Sequence, residues 1–247
     1  MMRFIEKPNL PDSRVSRIIC GEIPYEIKCF LGERCVDIID FEPNSLIDAS
    51  VSTHADMCAI HIGGEKVIVD KKQTHLIARL RDLGFSVTKT KEDIAGEYPS
   101  DVKLNVALFG RNAIGAFSHS DETVVENISD YNKFEVKQGY TKCSVLPVSE
   151  NALITDDISV YKTLRNAFDV LLIGKGDIVL EGHDYGFIGG ASAKISADEI
   201  LFFGDIKKHR NCKEILAFLD KYNCNAISFD GLPLTDVGGV VSLCEYI

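Results

Sequence analysis

Lys66-Val67-Ile68-Val69, then Leu76, Ile77, Leu80 and Leu83, then Gly84 and Phe85-Ser86-Val87, decide how the rest of this chain is read. The first run is a short apolar strand. The three leucines and the isoleucine stand at helical spacing on one face. Gly84 stops that helix, as glycine does just past a helix end. Phe85-Ser86-Val87 alternates as a strand does, and after a polar loop Leu104–Phe109 reads as a third strand. The same order recurs about five times. Its leading strands begin near Arg17, Lys66, Ala113, Ala152 and Glu199, a period of roughly 39–49 residues. Units of that size close into arrays or rings in which each covers its neighbour's apolar face. The expected architecture is α/β: one domain over 1–247, with repeats at roughly 16–64, 65–111, 112–150, 151–197 and 198–247.

Within the repeats, Pro24 suits the first turn of the first helix. Asp156 or Asp157 is positioned to cap the fourth helix. Third strands are expected at 57–62, 104–109, 144–148 and 240–244, with 186–191 as the remaining third strand or its glycine-rich start, and a short strand at 178–180. Residues 1–15, with Pro8 and Pro11, read as an irregular lead-in.

Composition narrows the function. Of 247 residues, 45% are hydrophobic, ordinary for a globular protein, and the net charge is −10. No lysine- or arginine-rich run suggests a nucleic-acid footprint. The acidic balance mainly favours solubility and only secondarily a cationic ligand. No apolar stretch approaches the ~18–20 residues of a membrane span, and the start Met1-Met2-Arg3-Phe4-Ile5-Glu6-Lys7-Pro8 has no apolar core of a signal peptide. The eight cysteines form no Cys-x-x-Cys pair, so free thiols, a reducing cytoplasm, and neither metal nor cofactor are expected.

Five strand–helix–strand–strand units resemble the five-bladed α/β propeller, the pentein fold, with pseudo-fivefold ββαβ-type repeats. Ser52-Thr53-His54-Ala55-Asp56-Met57, Lys137-Gln138-Gly139-Tyr140-Thr141-Lys142-Cys143, Gly186-Phe187-Ile188-Gly189-Gly190-Ala191 and Leu234-Thr235-Asp236-Val237-Gly238-Gly239 are similar to strings of an uncharacterised bacterial family of that fold. The fold is used by arginine deiminases, dimethylarginine hydrolases, agmatine deiminases and amidinotransferases, and by a ribosome anti-association factor that is not an enzyme. The resemblance implies a cysteine nucleophile late in the last unit, a histidine from an earlier one, and carboxylates on a guanidinium. Here Cys244 stands five residues beyond Gly238-Gly239, and Glu181-Gly182-His183-Asp184 is the nearest string to Glu-Gly-Gly-Asp.

The loops before the five third strands are expected to converge. They carry His54 and Asp56, Asn105, Tyr140, Lys142 and Cys143, Asp184 and Tyr185, and Asp236. Carboxylates there suit a guanidinium or ammonium group. Lys142 beside Cys143 would lower the thiol's pKa, unless the two point to opposite faces. Each residue also has a structural reading: Cys143 and Cys244 as small buried hydrophobes, His54 as a loop cap, Asp236 as an Asx turn, and Asp205 with His209 as a helix cap. The functional expectation is a guanidino-group-modifying enzyme, hydrolase or amidinotransferase-like. In it Cys143 (or Cys244) attacks, His54 and Asp236 complete the catalytic group, and Asp56, Asn105, Lys142, Asp184 and Tyr185 bind substrate. A non-catalytic protein of the same fold, binding a small ligand or a protein partner, is the alternative.

Overall fold

A computed structural model describes all residues, Met1–Ile247. It contains five small sheets with one strand order. Strands β4 (Ala59–Gly63), β5 (Lys66–Val69) and β6 (Ser86–Lys89) make one; β7 (Ala107–Phe109), β8 (Asn112–Gly115) and β9 (Asn132–Glu135) the next. Then follow β10 (Val145–Ser149), β11 (Ala152–Thr155) and β12 (Asp169–Leu172), and β13 (Ser192–Lys194), β14 (Glu199–Phe202) and β15 (Asn225–Ile227). The remaining sheet joins both ends of the chain, in the order β1 (Met2–Phe4), β16 (Val240–Tyr246), β2 (Val15–Cys20) and β3 (Asp37–Ile39).

In each three-stranded sheet the first pair is antiparallel and the second parallel; in the four-stranded sheet β1–β16 and β16–β2 are antiparallel and β2–β3 is parallel. Connection length explains this. Antiparallel neighbours need only a tight turn, whereas parallel ones need a crossover, here a helix. The helices are α1 (Tyr25–Glu33), α3 (Thr74–Asp82), α4 (Glu122–Asn127), α6 (Ile158–Leu164) and α7 (Cys212–Lys221). At the turn after β4, Gly63 has φ +105° and a Cβ there would lie 2.6 Å from the Glu6 carbonyl, so only glycine fits. The third strand of each sequence repeat thus pairs with the first strand of the following repeat. Sheets and repeats are offset by one strand.

Five apolar clusters hold the sheets together, each spanning two consecutive ones. Ile19 and Leu243 pack with Val67 and Leu76; Ile60 and Ile68 with Leu108 and Val124; Phe109 and Ile114 with Val145 and Leu153; Val148 and Ile154 with Phe202 and Ile215. The fifth joins Leu201 and Phe203 to Val15 and Ile18, returning to the sheet of the chain ends. Burial falls across each sheet: β4, β7, β10, β13 and β16 are almost wholly buried, while β6, β9 and β15 are largely exposed or half-buried.

Several expected elements differ. Residues 1–15 are not wholly irregular, because β1 pairs along β16. The strands expected from Met57 and Ser144 begin later, since a single helical turn precedes each: α2 (Ala55–Cys58) and α5 (Thr141–Ser144). A lone turn is too short to show a 3.6-residue pattern and forms only where tertiary contacts hold it. Residues 186–191 are a glycine-rich turn ahead of β13, and 178–180 contributes one bridge, Val179 to Thr235. The caps are as read: Asp157 accepts from Ser159 and Val160 N–H, and Asp205 from Lys207 N–H.

Candidate active site

One segment precedes each buried strand, and these segments meet. The turn α2 turns Asp56 inward, with His54 as its N-cap residue. The turn α5 does the same for Cys143. Between them, Asn105 Oδ1 accepts from the N–H groups of Lys142 (2.8 Å) and Cys143 (3.3 Å), while its Nδ2 donates to Cys143 Sγ (3.2 Å). Asn105 therefore fixes both the helical turn and its thiol. The thiol donates to Asp56 Oδ2 at 2.9 Å, and Asp56 Oδ1 has no partner.

Asp236 closes the group. Its Oδ1 accepts from Gly238 N–H (2.9 Å), the Asx turn read from the sequence, and its Oδ2 from Phe187 N–H (2.8 Å). His54 Nδ1 lies 3.9 Å from Asp236 Oδ1. Glycine is required on both sides: a Cβ on Gly190 would fall 1.9 Å from Asp236 Oδ1, and one on Gly238, at φ +74°, 2.3 Å from His54 Cβ.

A cavity of about 300 Å³ opens above these groups, lined by His54, Cys143, Asp236, Asp184 and Tyr185 together with Asp48, Val51, Met57, Tyr140, Leu180, His183 and Phe187. Cys143 and Asp236 lie at its buried end; Asp48 and Asp184 stand at its exposed end. Tyr140 and Phe187 stack at 24°, with Tyr185 edge-on to Phe187. Of the eight residues expected at the site, five line the cavity. Asp56 and Asn105 touch Cys143 from behind, and Lys142 faces a separate void of about 20 Å³ shared with Asp56, His61 and Val241. Cys244 is buried in β16 between the first two sheets and does not line the cavity.

The electrostatics reverse one expectation. Burial pushes the Cys143 thiol well above its usual range, and Asp56 and Asp236 push it further. Adjacency to Lys142 does not lower it, because successive residues of the turn face different spaces. Burial also raises Asp56, opposed by His54, Lys142 and the thiol. Asp156, behind Ile188, is pushed by burial to about 7.

Asp48, Phe187 and Asp156 escaped the sequence reading. Asp48 lies in the extended arm after Pro43, which reads only as polar loop, and in the sequence Asp156 is only a candidate cap. Nowhere in the chain do three or more His, Cys, Asp or Glu side chains gather as a metal site. No helix is long and apolar enough to cross a membrane.

A model of the family of unknown function DUF6873 matches residues 18–241. The chain belongs to that family. Among curated proteins, none matches it in sequence. Solved structures are similar over nearly the whole chain. The inosamine-phosphate amidinotransferase of Streptomyces griseus superposes with a TM-score of 0.60 at 11% identity, covering 95% of both chains. The amidinotransferase of the saxitoxin pathway from Microseira wollei gives 0.57 at 10% identity, covering 92% of this chain and 91% of its own. DDAH from Pseudomonas aeruginosa, a mutant complexed with citrulline, gives 0.55 at 11%, covering 95% and 100%. These neighbours, two of them amidinotransferases, are members of the pentein superfamily, and the fold of this chain is the pentein fold.

Proposed function

We propose that the five sheets form a five-bladed α/β propeller whose axial cavity is the active site of a guanidino-group-modifying enzyme acting on a small cationic guanidine or amine. The observation that carries this is the Cys143 thiol donating to Asp56 at 2.9 Å at the floor of a cavity that also holds His54 and Asp236. The cyclic order of the five apolar clusters supports the ring.

In the resting site the thiol is protonated. A cation entering beside Asp236, with Asp56 just behind the thiol, offsets the charges that hold the thiol up, so the nucleophile forms when substrate is bound. Cys143 passes its proton to Asp56 Oδ2 and its sulfur bonds to the guanidinium carbon. The carbon–nitrogen bond breaks, and protonated His54 supplies the proton that completes the departing amine. Water, or an acceptor amine in an amidinotransferase, then attacks the amidino carbon and returns a proton to His54. The carbon–sulfur bond breaks and the thiolate takes back the proton held on Asp56. Asn105 keeps the sulfur aimed.

The same burial favours a second reading: a protein that binds the cation and leaves the thiol protonated. A thermal-shift screen of guanidines and amines, with assay of released amine or ammonia, separates the two. Turnover that vanishes in Cys143→Ser while ligand still raises Tm supports the enzyme. Binding without turnover supports the second reading. No shift with any guanidine or amine removes both.

A further inference from the structure

The cavity is one-sided in charge along its whole depth. Asp236 lies at the buried end and Asp48 and Asp184 at the exposed end, and no lysine or arginine lines it. The cations around it already have partners. Lys142 faces the small void beyond Asp56. Lys175 donates to the Tyr185 hydroxyl at 3.2 Å, lies over the Tyr185 and Phe187 rings, and is 3.8 Å from Asp157. At the mouth, His183 Nε2 shares a hydrogen bond with Ser50 Oγ at 2.8 Å and lies 3.9 Å from Asp48.

A ligand whose cationic head sits at Cys143 sends its other end out past Asp48 and Asp184. A carboxylate on that end meets two like charges and no guanidinium or ammonium in the lining, Lys175 being paired with Tyr185 and Asp157. An amine, amide or uncharged end meets no such opposition, and its alkyl stem lies along Val51, Leu180 and the aromatic wall of Tyr140 and Phe187. We propose that Asp48 and Asp184 are specificity-determining residues that exclude amino-acid ligands, so that the site takes a guanidine or amine whose far end carries no carboxylate. This rests on the reading of the cavity as a guanidine or amine site.

Calorimetric titration at low salt and about pH 8, where an ordinary imidazole is neutral, tests it with agmatine, argininamide and arginine. Agmatine and argininamide are expected to bind at least about tenfold more tightly than arginine, two like charges at the mouth being worth about that factor. The gap is expected to shrink at about 0.5 M NaCl, because exposed charges are screened. In the Asp48→Asn/Asp184→Asn double variant, arginine is expected to come within about threefold of agmatine. Arginine binding as tightly as agmatine to the unaltered protein overturns the inference and leaves the cation-site reading standing. A preference unchanged in the double variant overturns the assignment to these two residues. Absence of binding by all three compounds overturns the cation-site reading and this inference with it.

Discussion

Asp156 is a carboxylate that folding leaves with one hydrogen bond. Its Oδ2 accepts from Ile188 N–H at 2.9 Å and its Oδ1 has no partner. Burial raises its pKa to about 7, against which the Ile188 bond and Lys175 work and to which Asp236 and Asp157 add. The sign follows from proton counting. Between about pH 4 and pH 7 the folded chain keeps a proton that the unfolded chain has lost, so stability falls as pH rises through that window. Asp156→Asn keeps an acceptor for Ile188 and removes the titration. Urea unfolding is expected to show the variant gaining on the parent protein between pH 5 and pH 8, by a difference on the order of 2–4 kcal/mol. Parallel pH profiles for the two proteins would refute this. In the sequence, Asp156 and Asp157 are equivalent candidates for one cap. Which of them faces inward depends on the path of the strand before α6, and no local pattern carries that.

At the level of elements, single acidic side chains hold helices to the loops beside them. Asp121 is fully buried and caps α4 through Thr123 N–H (2.9 Å), while it also accepts from Lys91 (3.2 Å) and Glu92 (2.9 Å) on the preceding segment. Burial alone would raise its pKa, but these bonds outweigh burial and the group is lowered. Asp121→Ala is expected to cost about 1–2 kcal/mol, read as a lower urea midpoint with an unchanged slope; a midpoint within error of the parent would count against the clasp. The long amphipathic elements were readable because a repeating pattern spans several turns, as with Leu76, Ile77 and Leu80 in α3. The turns α2 and α5 were not, although they aim Asp56 and Cys143. Each is four residues long, and Asn105, distant in sequence, sets the geometry of the second.

Over the whole molecule, the two chain ends share one sheet. The last strand, β16, lies between β1 and β2, and Ile247 N–H reaches the Met1 carbonyl at 3.1 Å. Val241 and Leu243 belong to one inter-sheet core, and Val240 to the one that returns from the last sheet to the first. Removing residues 240–247 would strip β1 of its strand partner and β2 of one of its two, and open both cores. The truncated chain is expected to lose its cooperative urea transition. Removing Met1–Phe4, an edge strand whose first two residues are exposed, is expected to leave a cooperative transition at a lower midpoint. A cooperative transition in the 240–247 deletion would show that the fold does not depend on β16.

The sequence by itself determined the α/β class, the five-fold recurrence, the pentein resemblance, and the five segments from which the site is drawn. These are properties of patterns that repeat along the chain: strand alternation, helical spacing, and glycines where the backbone turns. Tertiary structure decided which strand pairs with which, offsetting the sheets from the repeats, because a third strand reaches its partner by a tight turn only in the next unit. It also decided that Cys143, not Cys244, lines the cavity, that Lys142 faces away from it, and that Asp48 joins it. Burial and the distance between charges fix such facts, and both arise only when segments far apart in the chain, such as those of His54 and Asp236, come to lie beside one another.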